Sequence, residues 1–92
     1  MVEIFRMYVE KSHTAKSRLR LPENSEIGEL PDNQAFWVSD NQNTWKCHIK
    51  SSNGRHHLVA EPWNAFKSRV EGRTISLHKE RDGQGAPSYK LI

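Results

Sequence analysis

Two short segments hold most of the side chains able to engage a polyanion. KSHTAKSRLR, residues 11 to 20, carries Lys11, Lys16, Arg18 and Arg20 with Ser12, His13 and Thr14 among them. KCHIKSSNGRHH, residues 46 to 57, carries Lys46, His48, Lys50, Arg55 and His57 around the polar turn Ser51, Ser52, Asn53 and Gly54. A nucleic-acid duplex asks for two kinds of group. Cations release condensed counterions from closely spaced phosphates whatever the base sequence, and Lys11, Lys16, Arg20, Lys46 and Lys50 suit that task. Base reading needs donors and acceptors in a fixed arrangement: Arg bidentate to guanine, Asn bidentate to adenine, with Ser, Thr and His as supplements. His13, Thr14, Arg18, Asn53, Arg55 and His57 are of those types. Plainer readings stand beside these. A solvated strand face accounts for any single lysine, and Asn before Gly is a common turn pair for backbone reasons alone.

Other chemistries fit less well. His56 and His57 are adjacent, so on a strand they point to opposite faces and do not share one metal ion. No Gly-rich phosphate loop, nucleophile elbow or His, Ser and Asp set stands out, and the acids lie away from the basic segments. A nuclease needs metal-binding carboxylates beside the cleaved phosphate, and no such set is visible. The single cysteine, Cys47, excludes an internal disulfide and reads as a small buried hydrophobe. Neither enzyme, cofactor nor metal is expected.

Ninety-two residues suit one domain with one modest core, so residues 1 to 92 are read as a single unit. The chain is 35% hydrophobic and 27% charged, too rich in large apolar side chains for a disordered tail. No apolar run nears the roughly 20 residues that span a bilayer, and MVEIFRMYVEK lacks a signal-peptide apolar region, so no membrane partner and an intracellular site are expected. The net charge of +3 is modest, but its distribution is uneven. Between Leu21 and Trp45 there is no Lys or Arg, while Glu23, Glu26, Glu29, Asp32 and Asp40 fall there. Segregation of this kind points to one basic face for a polyanion.

The elements that must position these residues follow from pattern. VEIFRMYVE alternates Phe5, Met7 and Val9 against Arg6, Tyr8 and Glu10, a first strand. KSHTAKS has no period and reads as a loop. RLRLP alternates again, Leu19 and Leu21 inward, Arg18 and Arg20 outward, until Pro22 stops the strand. ENSEIGEL suits one helical turn capped by Asn24 or Ser25, with Ile27 and Leu30 buried. QAFWVSD and TWKCHIK form a hairpin through DNQN, with Trp45, Cys47 and Ile49 inside and Lys46, His48 and Lys50 outside. SSNG turns the chain into the strand RHHLVAE. PWNAFKSRV is a helix with Pro62 at its first position and Trp63, Phe66 and Val70 on one face, plugging one end of a barrel. RTISLHKE, the turn RDGQGAP and SYKLI close the sheet, and an ending inside a strand suggests a piece of a longer protein. Trp37, Trp45, Trp63 and Phe66 offer a stacking platform for single strands, yet their positions favour the core. The sum is mainly β: about seven strands and two short helices in a small, partly open barrel.

The order of these landmarks resembles the B3 DNA-binding domain of plant transcription factors and of effector domains in some bacterial restriction endonucleases. KSRLRLP looks like the family's basic segment before a strand that ends in Pro, Trp45 like its strand Trp, Trp63 with Phe66 like its W-x-x-F helix, and EGRTISL like its G-x-x-hydrophobic strand start. The resemblance covers nearly the whole chain and implies a seven-stranded open pseudobarrel. It implies two arms in the major groove of double-stranded DNA, with Lys16 and Arg18 on the first and Asn53 on the second. The first arm is about a residue shorter than in plant members, and the second lacks the aromatic often found there. Those departures bear on which arm residues read bases, while the compactness and the Met1 start lean towards a monomeric targeting or effector domain joined to a nuclease in a bacterial cytoplasm. A plant-type transcription-factor domain, an RNA or single-strand binder, and a protein interaction module are the alternatives.

Overall fold

The computed structural model describes residues 2–32, 34–81 and 87–92, with Arg81 placed by its backbone alone. Strand β1 (Val2–Tyr8) follows the expected alternation from Phe5 onward, Phe5 buried and Met7 half-buried. Ile4 is buried as well, because pairing with the sixth strand shifts register between Glu3 and Phe5. A bulge there lets two successive residues face the core. Strand β2 (Leu19–Arg20) is short, with Leu19 and Leu21 inside and Arg20 outside.

KSHTAKS is not the loop its aperiodic sequence suggests. It folds into 3-10 turns over Lys11–Ser17. The first turn closes because the His13 amide donates to the Glu10 carbonyl and the Glu10 amide donates to His13 Nδ1, both at 3.0 Å. A break follows at Ala15 and Lys16. Lys16 and Ser17 then take φ of 63° and 57°, a left-handed step that redirects the chain into β2. The second 3-10 turn (Ser25–Glu29) is the one expected, Asn24 Oδ1 accepting from the Ile27 amide at 3.2 Å over a buried Ile27.

Strands β3 (Phe36–Ser39) and β4 (Thr44–Ser52) meet at a tight turn in which Asp40 Oδ1 accepts from the amides of Gln42 at 2.7 Å and Asn43 at 2.6 Å. Asn53 and Gly54, at φ of 52° and 74°, join β4 to β5 (Arg55–Glu61) with the positive dihedrals that a two-residue hairpin requires. Helix α1 (Trp63–Val70) begins one residue later than expected, Pro62 serving as its cap. Strands β6 (Thr74–Arg81) and β7 (Pro87–Leu91) complete the sheet. The Gly-rich turn expected between them falls largely at 82–86, outside the described residues.

The seven strands form one sheet in the order β1-β6-β7-β3-β4-β5-β2. All neighbours are antiparallel except β3 and β7. The sheet curls until its edge strands approach, since Met7 and Tyr8 of β1 share a cleft with Arg20 of β2 and with Leu21 and Pro22 just after it. The concave side holds the core. There Trp45 meets Phe66 of α1 edge to face, ring centroids 5.4 Å apart at 84°, and Phe36 meets Tyr89 at 5.0 Å. Trp63 packs beside Phe66 at 5.9 Å. Trp37 departs from the core assignment: it is 61% exposed, because strand alternation that buries Phe36 and Val38 turns it outward. Among the described residues no helix is long and apolar enough to cross a membrane.

Candidate nucleic-acid interface

The strand register brings the two basic segments side by side. Arg20 of β2 stands opposite His57 of β5, and His57 stands opposite Lys50 of β4. The next residues in each strand, Leu19, Leu58 and Ile49, turn towards the core, so the row Arg20, His57, Lys50 faces outward. The contact continues past β2, where the Leu21 amide donates to the His56 carbonyl at 3.0 Å. Residues more than 25 apart in sequence thus share one surface. Lys46 and His48 lie further along the same face of β4, Lys46 opposite Glu61.

His57 reports the field of this surface. Its pKa is lowered, first by burial and then by the positive charges of Arg18, Arg20, His56 and Lys16. The ring is therefore neutral near pH 7, and its Nδ1 is buried with no hydrogen-bond partner among the described residues.

Lys11, Ser12, Lys16, Arg20, Lys46, Lys50, Ser51, Ser52, Asn53 and Arg55 are exposed, and His13, Arg18, His48 and His57 are half-buried. Ser51 Oγ lies 2.9 Å from His56 Nδ1, which holds the base of the hairpin tip. Thr14 is the correction. It is 3% exposed, and its hydroxyl donates to Glu71 Oε2 at 2.8 Å beyond the end of α1. It fastens the first segment to the body of the fold and has no surface to offer a base. His13 is partly engaged too: since its Nδ1 accepts from the Glu10 amide, the neutral ring carries its proton on Nε2.

The cleft between the sheet edges adds two residues that sequence reasoning left out, Tyr8 and Glu23, beside His13, Arg20 and Arg55. Tyr8 is 56% exposed, and its outward position was already set by the β1 alternation. Glu23 shows that the acids do not all avoid the basic surface. Chain separation hid this, because the antiparallel pairing of β2 with β5, continued by Leu21 and His56, brings the residue after Pro22 to Arg55.

Other reactive groups are occupied by structure. Burial pushes the Cys47 thiol up to about 12, which leaves no thiolate at neutral pH. Ser76 Oγ lies 2.8 Å from both Glu3 Oε1 and His78 Nε2, but the carboxylate binds the serine itself and not the imidazole. That hydrogen bond, then the Arg6 guanidinium, holds Glu3 below the usual carboxylate range against burial. With Ser76 only 6% exposed, the cluster is a strut between β1 and β6. Among the described residues no group of three or more His, Cys, Asp or Glu could hold a metal ion.

No family model and no curated protein matches this chain. A solved structure described as an Arabidopsis FUS3-DNA complex is similar to it in fold, with a TM-score of 0.56 at 13% sequence identity. The match covers 97% of this chain and 95% of that one. At that identity the likeness is one of fold alone, and the fold is a B3-like pseudobarrel: a mainly β, curled seven-stranded half-barrel.

Proposed function

We propose that this chain binds double-stranded DNA with sequence preference, placing segments 11 to 20 and 46 to 57 in the major groove. The observation that carries the reading is the outward row Arg20, His57 and Lys50, in which the two basic segments meet on one face of the sheet. The likeness in fold to a protein solved as a DNA complex supports it. Lys11, Lys16, Arg20, Lys46 and Lys50 engage phosphates. Arg18, Asn53, Arg55 and His57 face base edges, with Ser12, His13, His48, Ser51 and Ser52 at the margins, while Thr14 holds the first arm in place. Two roles fit such a module: targeting or allosteric effector of a nuclease domain in the same protein, and transcription-factor domain of the plant type.

Selection from a random duplex pool, followed by competition among the selected duplex, its single strands and the matching RNA, tests the reading. Arg18→Ala and Arg55→Ala each flatten preference among duplexes by about 1 to 3 kcal/mol, whereas Lys50→Ala weakens all duplexes alike. Equal losses on every duplex from all three variants remove the base-reading assignment. Preference for single strands or RNA removes the duplex.

A further inference from the structure

Trp37 is the most exposed aromatic among the described residues, and neither the core nor the two arms account for it. It stands on the outer face of β3, 61% exposed, directly opposite Lys46 of β4. Phe36 and Val38 on either side of it are buried at 6% and 1%, so the strand is held without the indole. Directly opposed side chains on one sheet face have Cβ atoms about 5 Å apart, which puts the lysine side chain within reach of the ring. The same face of β4 continues to His48 and Lys50, the latter about 13 Å along the strand at about 3.3 Å per residue. An open π-face beside a cation, in line with a row of further cations, matches the chemistry of a nucleobase attached to its phosphates.

A second copy of this chain suits the face poorly. A two-fold pairing through Trp37 sets Lys46 and Lys50 of each copy near those of the other, with Glu61 opposite Lys46 as the compensating carboxylate. We propose that Trp37 and Lys46 form a stacking step for one unpaired nucleotide running off the end of the bound duplex. The inference rests on the nucleic-acid reading above and extends it from duplex to a duplex with a single-stranded tail.

The test compares a blunt duplex, the same duplex with a five-nucleotide tail at its 3′ or 5′ end, and the tail as a free oligonucleotide, by anisotropy and by quenching of indole emission. A tail at one end strengthens binding by between about fivefold and about a hundredfold, the range expected of one stacked base. W37A erases that gain and leaves the blunt duplex unaffected; W37F keeps most of it. The near-ultraviolet signal of the Trp45 and Phe66 pair, unchanged in W37A, shows that the core is intact. No gain from either tail, or a gain that survives W37A, overturns the proposal. If the blunt duplex fails to bind while the free oligonucleotide binds in a Trp37-dependent way, the duplex reading falls and the stacking step stands. If no oligonucleotide binds, both fall.

Discussion

Removing Lys50 tests the basic surface most directly, because its effect on salt dependence can be worked out from the structure. Five exposed cations are assigned to phosphates: Lys11, Lys16 and Arg20 on the first segment and Lys46 and Lys50 on the second. If each neutralises one phosphate, the slope of log affinity against log salt is about −4.5, at about −0.9 per phosphate. Raising salt from 50 to 200 mM then weakens binding about 500-fold. Lys50→Ala leaves four cations, a slope of about −3.6 and a loss of about 150-fold over the same interval. Lys50 is exposed and points away from the core, so folding is unchanged and the variant isolates the charge. The assay is anisotropy titration of one duplex at five salt concentrations for each protein. A parent slope shallower than about −2, or a Lys50→Ala slope equal to the parent's, refutes the surface as the phosphate contact.

Binding should strengthen as pH falls from about 7.5 to 5.5, because phosphates near His57 raise a pKa that burial and cations hold below its ordinary value of about 6.5. His57→Gln removes that part of the pH dependence; an unchanged profile rules His57 out. In the free protein the sign is opposite: stability present above about pH 6.5 is lost as pH falls through the depressed pKa, and denaturant melts of parent and His57→Gln show the difference. Asn53→Gly keeps the φ of 52° and should leave stability within about 0.5 kcal/mol, so a fall of about 1 to 3 kcal/mol in discrimination between duplexes identifies Asn53 as a base reader. No fall marks it as a turn residue only. Thr14→Val strips Glu71 of a 2.8 Å donor and should cost about 1 to 2 kcal/mol by urea denaturation while weakening every duplex alike. Full stability and full affinity in that variant discount Thr14 as the anchor of the arm.

Much of this molecule is legible in its sequence, wherever the cause is local. Alternation placed Leu19, Leu21, Trp45, Cys47, Phe66 and Val70 inside and Arg20, Lys46 and Lys50 outside, because on a strand or helix the period alone assigns the face. The Asn24 cap and the Asn53-Gly54 turn follow from side-chain and backbone chemistry within four residues. Three features waited for the tertiary structure. Thr14 sits in an aperiodic polar stretch, and only its 57-residue reach to Glu71 shows it to be buried. Trp37 has the composition of a core residue, and only the register that buries its neighbours on both sides turns it to solvent. The meeting of Arg20, His57 and Lys50, and of Tyr8 and Glu23 with Arg55, depends on which strand lies beside which and on the curl that closes the edges. Local periodicity decides which way a side chain faces; only long-range pairing decides what it faces.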